Sequence, residues 1–383
     1  MSGTITLYAK WRPVKKAIFD TGSKVNIRMK TLSGQSGAAT GTNNSIIKKV
    51  KYVDPVPQDK QITDNIISSA ASQYKVYMWY DSDEKIIYYG KEDDADEIYL
   101  GKDGAYMFNY LYECTEIDTN FRTDDTQNFT QMFWRDVNLE VLDVSHFKTN
   151  EAKSFSSMFG ECAKVPSFDV SGWDVSGAKT FTFMFNQCAS ITELDLTNWV
   201  TTSAETMKNM FSSTTNLSTL KIPNFVTSNV TDMQKMFDNM PSIQSLDLSH
   251  FDTSKVTAMN QMFENMTSLT SLNISSFNTA KVKNMEKMFK GTNQLQTLDI
   301  SSFNTSIVTN MNNMFSEMSA LTTIYVSSSF TTSSVTSTPV MFASDTNLVG
   351  GAGTHWSSSN TKKDYARIDR PDLSQPGYFT EKQ

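Results

Sequence analysis

Hydrophobic positions recur at a fixed interval along most of this chain. A Met-Phe pair returns every 26 residues through the middle of the sequence, and the interval shifts by one residue only at the two ends. The pairs begin at Met107, Met132, Met158, Met184, Met210, Met236, Met262, Met288, Met314 and Met341. A constant period in the twenties is typical of repeat proteins, in which each repeat buries its apolar side against its neighbours. The pattern therefore predicts a stack of repeats.

Each repeat contains two segments with different hydrophobic periods. The first has the pattern L-x-x-L-x-L, as at Leu269, Leu272 and Ile274, and its alternation predicts a short parallel strand that pairs with its copies. The second has the pattern V-x-x-M-x-x-M-F, as at residues 282–289, and its spacing of i, i+3, i+6 and i+7 predicts one or two helical turns. A threonine suited to a helix N-cap follows the valine in three repeats, at Thr231, Thr257 and Thr309.

A large aromatic residue separates the two segments in the repeats. These residues are Phe147, Trp173, Trp199, Phe225, Phe251, Phe277, Phe303 and Phe330. We expect this aromatic column to fill the turn between strand and helix. The sequence thus predicts an α/β solenoid, a leucine-rich-repeat-like, right-handed arc of about eight to ten repeats. A three-sided parallel β-helix is the alternative fold, and it would require period-two alternation on every side, which the second segment lacks.

The region before the repeats is rich in strand patterns. Alternating apolar residues predict short strands at residues 4–11 and 24–30, and a polar stretch predicts a loop at residues 33–45. The apolar runs at residues 74–80 and 86–89 are separated by the sequence DSDEK, which predicts a β-hairpin. Because the end of a repeat stack would otherwise expose its core to water, we expect this β-rich region to cap the first repeat.

Charge and hydropathy argue against several classes of protein. The 383 residues carry a formal net charge of −7, whereas nucleic-acid and anionic-membrane surfaces need clustered Lys and Arg. No apolar run reaches the length of about 18 residues that a transmembrane helix requires, so we expect no membrane insertion. The first residues lack the layout of a secretion signal. The chain is therefore expected either to stay inside the cell or to be a segment of a longer precursor.

The residue types that usually carry catalysis form no recognisable site. Cys162 and Cys188 share one repeat position, which later holds Thr or Met, and we expect buried structural thiols, with a disulfide as the alternative. His146 and His250 share another position four repeats apart, and His355 lies near the carboxyl end. The sequence contains no nucleophile motif, no Gly-rich phosphate loop and no metal-ligand spacing. We expect a protein without enzymatic activity and without a cofactor.

The outward positions of the strands form the candidate binding surface. One column along this face is Asp143, Asp169, Asp195, Lys221, Asp247, Asn273, Asp299 and Tyr325. Repeat proteins commonly bind partners on their concave face, where we place this column. Carboxylates stacked about 4.8 Å apart repel one another unless hydroxyl groups, a cation or a basic partner compensate. Three interpretations stay open: hydrogen bonds within the local turn, an acidic strip that binds a partner, and a Ca²⁺ site, although the spacing lacks the oxygen cluster of a calcium loop.

A break in this column has two interpretations. Lys221 and Pro223 interrupt the acidic and hydroxyl residues in the sequence LKIPNF. The break indicates either a position that determines specificity or sequence drift. The sequence alone does not decide between them.

The repeat consensus resembles a known family. The pattern L-x-x-L-D-L-S-x-F-D-T-S-x-V-T-x-M-x-x-M-F, seen from Ile243 to Phe263, resembles the 26-residue leucine-rich-like repeat of BspA-like bacterial surface proteins. The similarity covers about residues 74–380, and GGAGTHW with the following DYARID and PGYF resembles the segment that closes such arrays. TITLYAKW near the amino end resembles the last strand of the small Listeria–Bacteroides β-repeat.

The resemblance implies a location and a general function. Members of this family are typically secreted or attached to the cell wall, and several are adhesins. The chain lacks the usual signal peptide and cell-wall sorting motif, so the resemblance places export in other parts of a precursor. Ordinary leucine-rich repeats carry Asn or Cys where this sequence has the aromatic column. We therefore expect Ser and Thr groups to satisfy the turn backbone in place of an Asn ladder.

These patterns divide the chain and lead to two main hypotheses. The division is a remnant strand of a preceding small β-repeat (1–12), a β-rich cap (13–105), the repeats (106–345) and a closing segment (346–383). The first hypothesis is a non-enzymatic extracellular adhesin that binds a protein or glycan of a host or neighbouring cell, including the extracellular matrix. The second is a passive spacer that projects another domain from the cell surface. An intracellular regulator is a third, weaker hypothesis.

Overall fold

The structure is a computed structural model that describes residues 12–35, 38–336 and 340–382. The strand predicted at residues 4–11 lies outside the described residues. Before the repeats, the elements are β1 (Lys16–Ile18), α1 (Gly22–Leu32), β2 (Lys49–Tyr52), two 3₁₀ turns (Gln58–Lys60 and Thr63–Asn65), β3 (Val76–Asp81), β4 (Ile86–Lys91) and β5 (Glu97–Tyr99).

The repeats and the closing segment contribute nine short strands and two 3₁₀ turns among the described residues. The strands are β6 (Glu116–Ile117), β7 (Val141–Leu142), β8 (Glu193–Asp195), β9 (Thr219–Lys221), β10 (Ser245–Asp247), β11 (Ser271–Asn273), β12 (Thr297–Asp299), β13 (Thr323–Val326) and β14 (Phe379–Glu381). The 3₁₀ turns are Lys363–Tyr365 and Pro371–Leu373.

The predicted parallel strands of the repeats are confirmed. β8 pairs with β9, β10 with β11, and β12 with β13, each in parallel and with a register offset of one repeat. In β10 and β11, for example, Leu246 lies opposite Leu272. Alternation places Leu246 inside and its two neighbours in the strand outside, as the L-x-x-L-x-L pattern predicts.

The helix predicted for the second segment is wrong. The V-x-x-M-x-x-M-F stretch folds as consecutive turns in every described repeat, without an α-helix. Gln131 and Arg135 have positive φ angles of 55° and 64°, and the equivalent residues of later repeats do the same. The N–H groups of Gln131 and Phe133 donate to carbonyls of the next repeat at 2.8 and 3.0 Å. Alternate N–H groups are therefore bonded between repeats, where a helix would bond them all within one segment.

The proposed N-caps are wrong for the same reason. The hydroxyls of Thr231, Thr257 and Thr309 donate to backbone carbonyls of the preceding repeat at 3.2 Å. An isolated-bridge ladder runs beside them, from Asn128 opposite Ser154 to Asn284 opposite Asn310. Both segments of each repeat are thus hydrogen-bonded to the neighbouring repeats.

Stacked aromatic rings form the centre of the core. The phenylalanines of the Met-Phe pairs stack from Phe108 to Phe342, and Phe237 and Phe263 lie 5.8 Å apart with ring planes 1° from parallel. The aromatic column is buried from Phe147 to Phe303, between each strand segment and the turns that stand in place of the predicted helix. Phe330 is only partly buried beside Phe379 of β14.

A threonine ladder satisfies the turn backbone, as predicted. The hydroxyl of Thr253 donates to the carbonyl of Asn278 at 3.0 Å and accepts from its N–H at 2.8 Å. The same donation to the next repeat is made by Thr123, Thr149, Thr201, Thr227, Thr279 and Thr305. Val175 occupies the position in one repeat. The threonine hydroxyls thus pair turn backbone groups of the next repeat, the role that an Asn ladder has in ordinary leucine-rich repeats.

The N-terminal region contains one confirmed and one wrong prediction. β3 and β4 form the predicted antiparallel hairpin. The strand predicted at residues 24–30 is instead part of α1, because Val25 and Met29 are buried on one face at a spacing of four residues. β2 lies between β4 and β6 in a five-stranded sheet that continues to β7. This sheet joins the predicted cap to the first repeats, and the domain boundaries stay a prediction.

The closing segment packs on the last repeat. β14 pairs with β13 in parallel and extends the sheet of β12. Tyr378 and Phe379 are buried against Phe342, with ring centroids 5.2 and 6.0 Å away. The Asp369 carboxylate accepts N–H groups from Ala352 and Thr354 and organises the loop before β14.

Candidate functional site

The residues of the candidate column lie on the outward face of the strands. Each acidic residue accepts a hydrogen bond from its own turn: Oδ1 of Asp143 accepts the N–H and the hydroxyl of Ser145 at 2.9 and 2.7 Å. The backbone bond recurs at Asp169, Asp195, Asp247, Asn273 and Asp299. These are Asx turns, in which a side-chain oxygen replaces a backbone acceptor. The arrangement supports the local-turn interpretation and leaves the second carboxylate oxygen for other contacts.

Some members of the column are direct neighbours. Asp195 lies opposite Lys221, Asp247 opposite Asn273, and Asp299 opposite Tyr325. Asp143, Asp195 and Asp247 are exposed, as are Asp169, Lys221 and Asn273, while Asp299 and Tyr325 are half-buried. The face is thus open over its first six positions and partly covered at the last two.

The break at Lys221 relieves charge repulsion in the column. Its ammonium group lies 2.9 Å from Asp195 and 3.1 Å from Glu193. Hydrogen bonds from Thr197 and then from Lys221 lower the pKa of Asp195 to about 2. The same pair raises the pKa of Lys221, with the hydrogen bond to Asp195 as the main cause. Both groups therefore stay charged throughout the physiological range.

Other carboxylates of the column are also held in the ionised form. The hydroxyl and N–H of Ser145 lower the pKa of Asp143, and the N–H of Ser249 lowers that of Asp247. At Asp299 burial favours the neutral carboxyl, but hydrogen bonds that include one from Lys382 outweigh it and lower the pKa. The column thus presents carboxylate acceptors, with Lys221 as an internal cation.

Two surface clefts adjoin this column, and the sequence analysis missed them. One, of about 350 Å³, is lined by Asp118, Asn120, Asp143 and His146. The other, of about 400 Å³, is lined by the equivalent Lys221, Pro223, Asp247 and His250. The available signal was the histidine shared by two repeats 104 residues apart. The second cleft includes the break at Lys221 and Pro223.

The thiols are buried and are hydrogen-bonded to the backbone. Cys162 and Cys188 are free, and each donates to a carbonyl, that of Phe133 at 3.0 Å and that of Phe159 at 3.1 Å. Burial raises the pKa of both thiols. This agrees with the interpretation of structural thiols.

The described residues form no recognisable metal-binding site. Over residues 12–35, 38–336 and 340–382, no three His, Cys, Asp or Glu side chains are grouped so that they could hold a metal ion. The Ca²⁺ interpretation of the Asp column stays a prediction. Among the same residues, no helix is both long and apolar enough to cross a membrane.

Comparison with known proteins finds one family. Residues 102–221, 184–295, 217–322 and 266–369 match the family DUF285, described as Mycoplasma protein of unknown function. The overlapping stretches run from residue 102 to residue 369, which is more than half of the 383 residues. No curated protein matches the chain.

A solved structure with limited similarity is the TLR13–ssRNA13 complex. Its chain is 14% identical over 60% of this chain and 46% of its own length, with a TM-score of 0.18. The present chain thus spans less than half of that protein, and a TM-score this low supports no argument about shared shape or ligand.

Proposed function

The chain belongs to the family of Mycoplasma proteins of unknown function, DUF285, and from this premise we propose that it is a non-enzymatic binding module. The described repeats form a solenoid in this proposal, and the strand face with the Asp column binds a protein or glycan. The BspA-like resemblance supports a bacterial surface or secreted protein that acts as an adhesin at the cell surface.

One observation carries the proposal: the polar face is pre-organised. Its carboxylates are fixed in Asx turns, as for Asp143 and Asp247. The backbone beneath them is hydrogen-bonded from one repeat to the next, as between Leu248 and Asn273 at 2.9 Å. A surface whose groups are already ordered loses little conformational entropy on binding. A row of fixed acceptors therefore suits recognition better than a row of mobile side chains would.

The proposal is tested by a binding screen. The purified chain is titrated with extracellular-matrix proteins and glycans, with and without Ca²⁺. The triple variant D143N/D169N/D247N removes charge but keeps the side-chain acceptor, as Asn273 does in its own repeat. We expect a saturable ligand whose binding the triple variant weakens at least about tenfold, which corresponds to about 1.4 kcal/mol.

The control variant is Asp252→Asn. Asp252 is exposed and accepts the N–H of Ser254 at 2.9 Å in an Asx turn of its own, but it lies outside the column. Binding should be unchanged in this variant. Equal losses in both variants would contradict a role for the strand face. Absence of any ligand from the folded chain would favour the passive spacer, which the uninterrupted stack of repeats also suits.

A further inference from the structure

We propose that the clefts at His146 and His250 are two copies of one subsite that binds a single linear, uncharged glycan. The inference rests on the proposed function, because it names the ligand class and the positions on the same face. The two histidines are separated by four repeats, and their clefts have the equivalent lining residues given above.

The two histidine rings are held in the same way. Nε2 of His146 lies 2.7 Å from the carbonyl of Thr119, and Nε2 of His250 lies 3.0 Å from that of Ile222, at the equivalent position. Each ring packs edge-on against the next residue, Phe147 or Phe251, at an interplanar angle of 88°. Because a carbonyl only accepts, Nε2 is the donor in each bond, and Nδ1 is the ring nitrogen left for a ligand.

The histidines are not needed for the backbone bond. In another repeat Ser276 occupies this position, and its hydroxyl lies 3.2 Å from the carbonyl of Leu248 and 2.8 Å from that of Phe251. Leu248 is the equivalent of Ile222, so a serine satisfies the same carbonyl. The imidazole therefore adds a flat, exposed ring to these two repeats beyond what the fold requires.

The chemistry of the clefts favours hydroxyl groups on the ligand. Asp143 and Asp247 each accept the hydrogen bond of the local turn through Oδ1. Their Oδ2 atoms can therefore accept hydrogen bonds from ligand hydroxyls. Val141 is 56% exposed beside the first cleft, and Pro223 is exposed in the second. Sugars combine hydroxyl donors with apolar C–H faces, which match carboxylates placed next to aliphatic surface.

The two clefts differ in charge, which favours an uncharged ligand as the one that both bind. The first cleft has Asp118 where the second has Lys221. A polyanion would be repelled by Asp118 and Asp143, whereas a polycation would lose in the second cleft the carboxylate that Asp118 offers in the first, because Lys221 stands there, paired with Asp195 and Glu193. An uncharged ligand is compatible with both clefts, so one neutral polymer can occupy both.

The spacing of the clefts sets the length of the ligand. Four steps of parallel pairing at about 4.8 Å place them about 19 Å apart on one face. A chain that reaches both clefts gains avidity, commonly by about 10² to 10⁴ over a single site. Asp169 and Asp195 lie between the clefts, with Ser171 and Thr197 beside them. Polar contacts are thus available along the whole path.

The test uses linear oligosaccharides of glucose and of N-acetylglucosamine, from the disaccharide upward, in calorimetric titrations of the whole chain. The variants are His146→Ser, His250→Ser and the double variant, because serine preserves the backbone bond. His355→Ser is the matched control, since this third histidine is exposed in the closing segment. An acidic oligosaccharide and a Lys-rich peptide serve as comparison ligands.

The inference predicts stoichiometry as well as affinity. A disaccharide should bind twice to the native chain, once to either single variant and not to the double variant. A chain long enough to span both clefts should bind once, and either single substitution should weaken it about 10²-fold. His355→Ser should behave as the native chain.

The outcomes separate this inference from the proposed function. Undiminished glycan binding in the double variant, or no binding of any neutral oligosaccharide, would overturn the inference. If the Lys-rich peptide or a matrix protein still bound and D143N/D169N/D247N abolished that binding, the proposed function would stand without it. Failure of every ligand would overturn both.

Discussion

At the scale of single residues, the turns have backbone φ angles that the pattern of side chains does not predict. Two positions in each repeat have positive φ, and the residues there are mostly not glycine, as at Lys235 and Asn239 with 56° and 54°. Gly291 takes one of these positions with φ of 75°. An L-residue in the left-handed region costs about 1–2 kcal/mol relative to the right-handed one. Each repeat therefore stores local strain that its hydrogen bonds to neighbours offset.

Glycine at such a position should stabilise the protein. Gln131 has φ of 55° and is half-buried. We expect Gln131→Gly to raise the free energy of unfolding by about 0.5–1 kcal/mol, since relief of strain exceeds the added entropy of the unfolded chain. The measurement is chemical denaturation. Gln127→Gly is the control, because Gln127 lacks a positive φ and should lose stability; a loss in both would contradict the interpretation.

Two buried carboxyl groups occupy the same interior position near opposite ends of the stack. Asp136 accepts the N–H of Leu111 at 2.8 Å, and Asp345 accepts that of Met318 at 2.9 Å. The intervening repeats have Cys, Thr or Met at this position. Burial raises the pKa of Asp136 well above its usual range and that of Asp345 to about 8. Asp345 is therefore mainly protonated in the folded protein at neutral pH, and burial also favours the neutral form of Asp136.

The substitution Asp345→Asn should stabilise the protein at alkaline pH. The folded protein keeps the proton of Asp345 up to about pH 8, whereas an unfolded Asp loses it near pH 3.9. Stability therefore falls as pH rises between these values, by up to about 1.4 kcal/mol per pH unit. Asn keeps the acceptor for Met318 but does not titrate. The difference in unfolding free energy between variant and native chain should grow from pH 5 to pH 8; a constant difference would contradict the assignment.

At the scale of elements, the threonine ladder links the turns of successive repeats. Thr253 both donates to and accepts from Asn278 of the next repeat. Its side chain is buried. The carbonyl and the N–H of Asn278 would lose this partner together if the hydroxyl were removed.

Thr253→Val should therefore destabilise the protein by about 1–3 kcal/mol, because valine has the same shape but removes two hydrogen bonds to the backbone of Asn278. The reverse substitution can be made at Val175, which occupies the threonine position in one repeat. Val175→Thr should be neutral or raise stability by up to about 1.5 kcal/mol. Thermal and urea denaturation measure both, and equal small effects would show that the ladder contributes little.

Some elements could be predicted from sequence, and others could not. The strands could be predicted from alternating apolar residues such as Leu246 and Leu248, because this period of two is typical of a strand with one buried face. The spacing of Val, Met, Met and Phe is compatible with both a helix and a series of turns, since both structures place these residues inside. In α1 the alternation of Val25, Ile27 and Met29 was misleading: Ile27 is 37% exposed while the other two are buried.

The candidate site was predicted only in part. The sequence predicts an outward column on the strand face because Asp and Asn alternate with Leu, and in the structure these Asp and Asn side chains are exposed or half-buried beside buried or half-buried Leu. The clefts at His146 and His250 were missed, since a cleft arises from the shapes of adjacent repeats, which no single-repeat pattern contains. The ion pair of Lys221 with Asp195 required the register between strands.

At the scale of the whole molecule, the phenylalanine stack makes each repeat depend on its two neighbours. Phe263 packs between Phe237 and Phe289, with ring centroids 5.8 and 5.7 Å away. In a stack of repeats, each repeat is supported mainly by its two neighbours. Stability is therefore close to a sum over repeats and their interfaces.

Phe263→Ala should cost about 3–5 kcal/mol, as do other buried Phe-to-Ala changes. Hydrogen exchange should show the loss of protection centred on the repeats with Phe237 and Phe289, and falling off toward both ends. Asp247→Asn is the control, and it should change stability by less than about 0.5 kcal/mol. Uniform loss of protection over the whole chain would instead indicate a single cooperative unit.

The one-directional hydrogen bonding of the turns gives the stack an electrical polarity. Along each turn segment, N–H groups such as that of Gln131 point to the next repeat, and carbonyls such as that of Ser156 point back. The dipoles of these peptide groups, about 3.5 D each, add along the stack as they do in a helix. Amide donors of Asn26 and Asn44 meet the carbonyl end, and the Thr361 carbonyl meets the N–H end. The two ends of the stack therefore need caps of opposite kinds, donors at the carbonyl end and an acceptor at the N–H end.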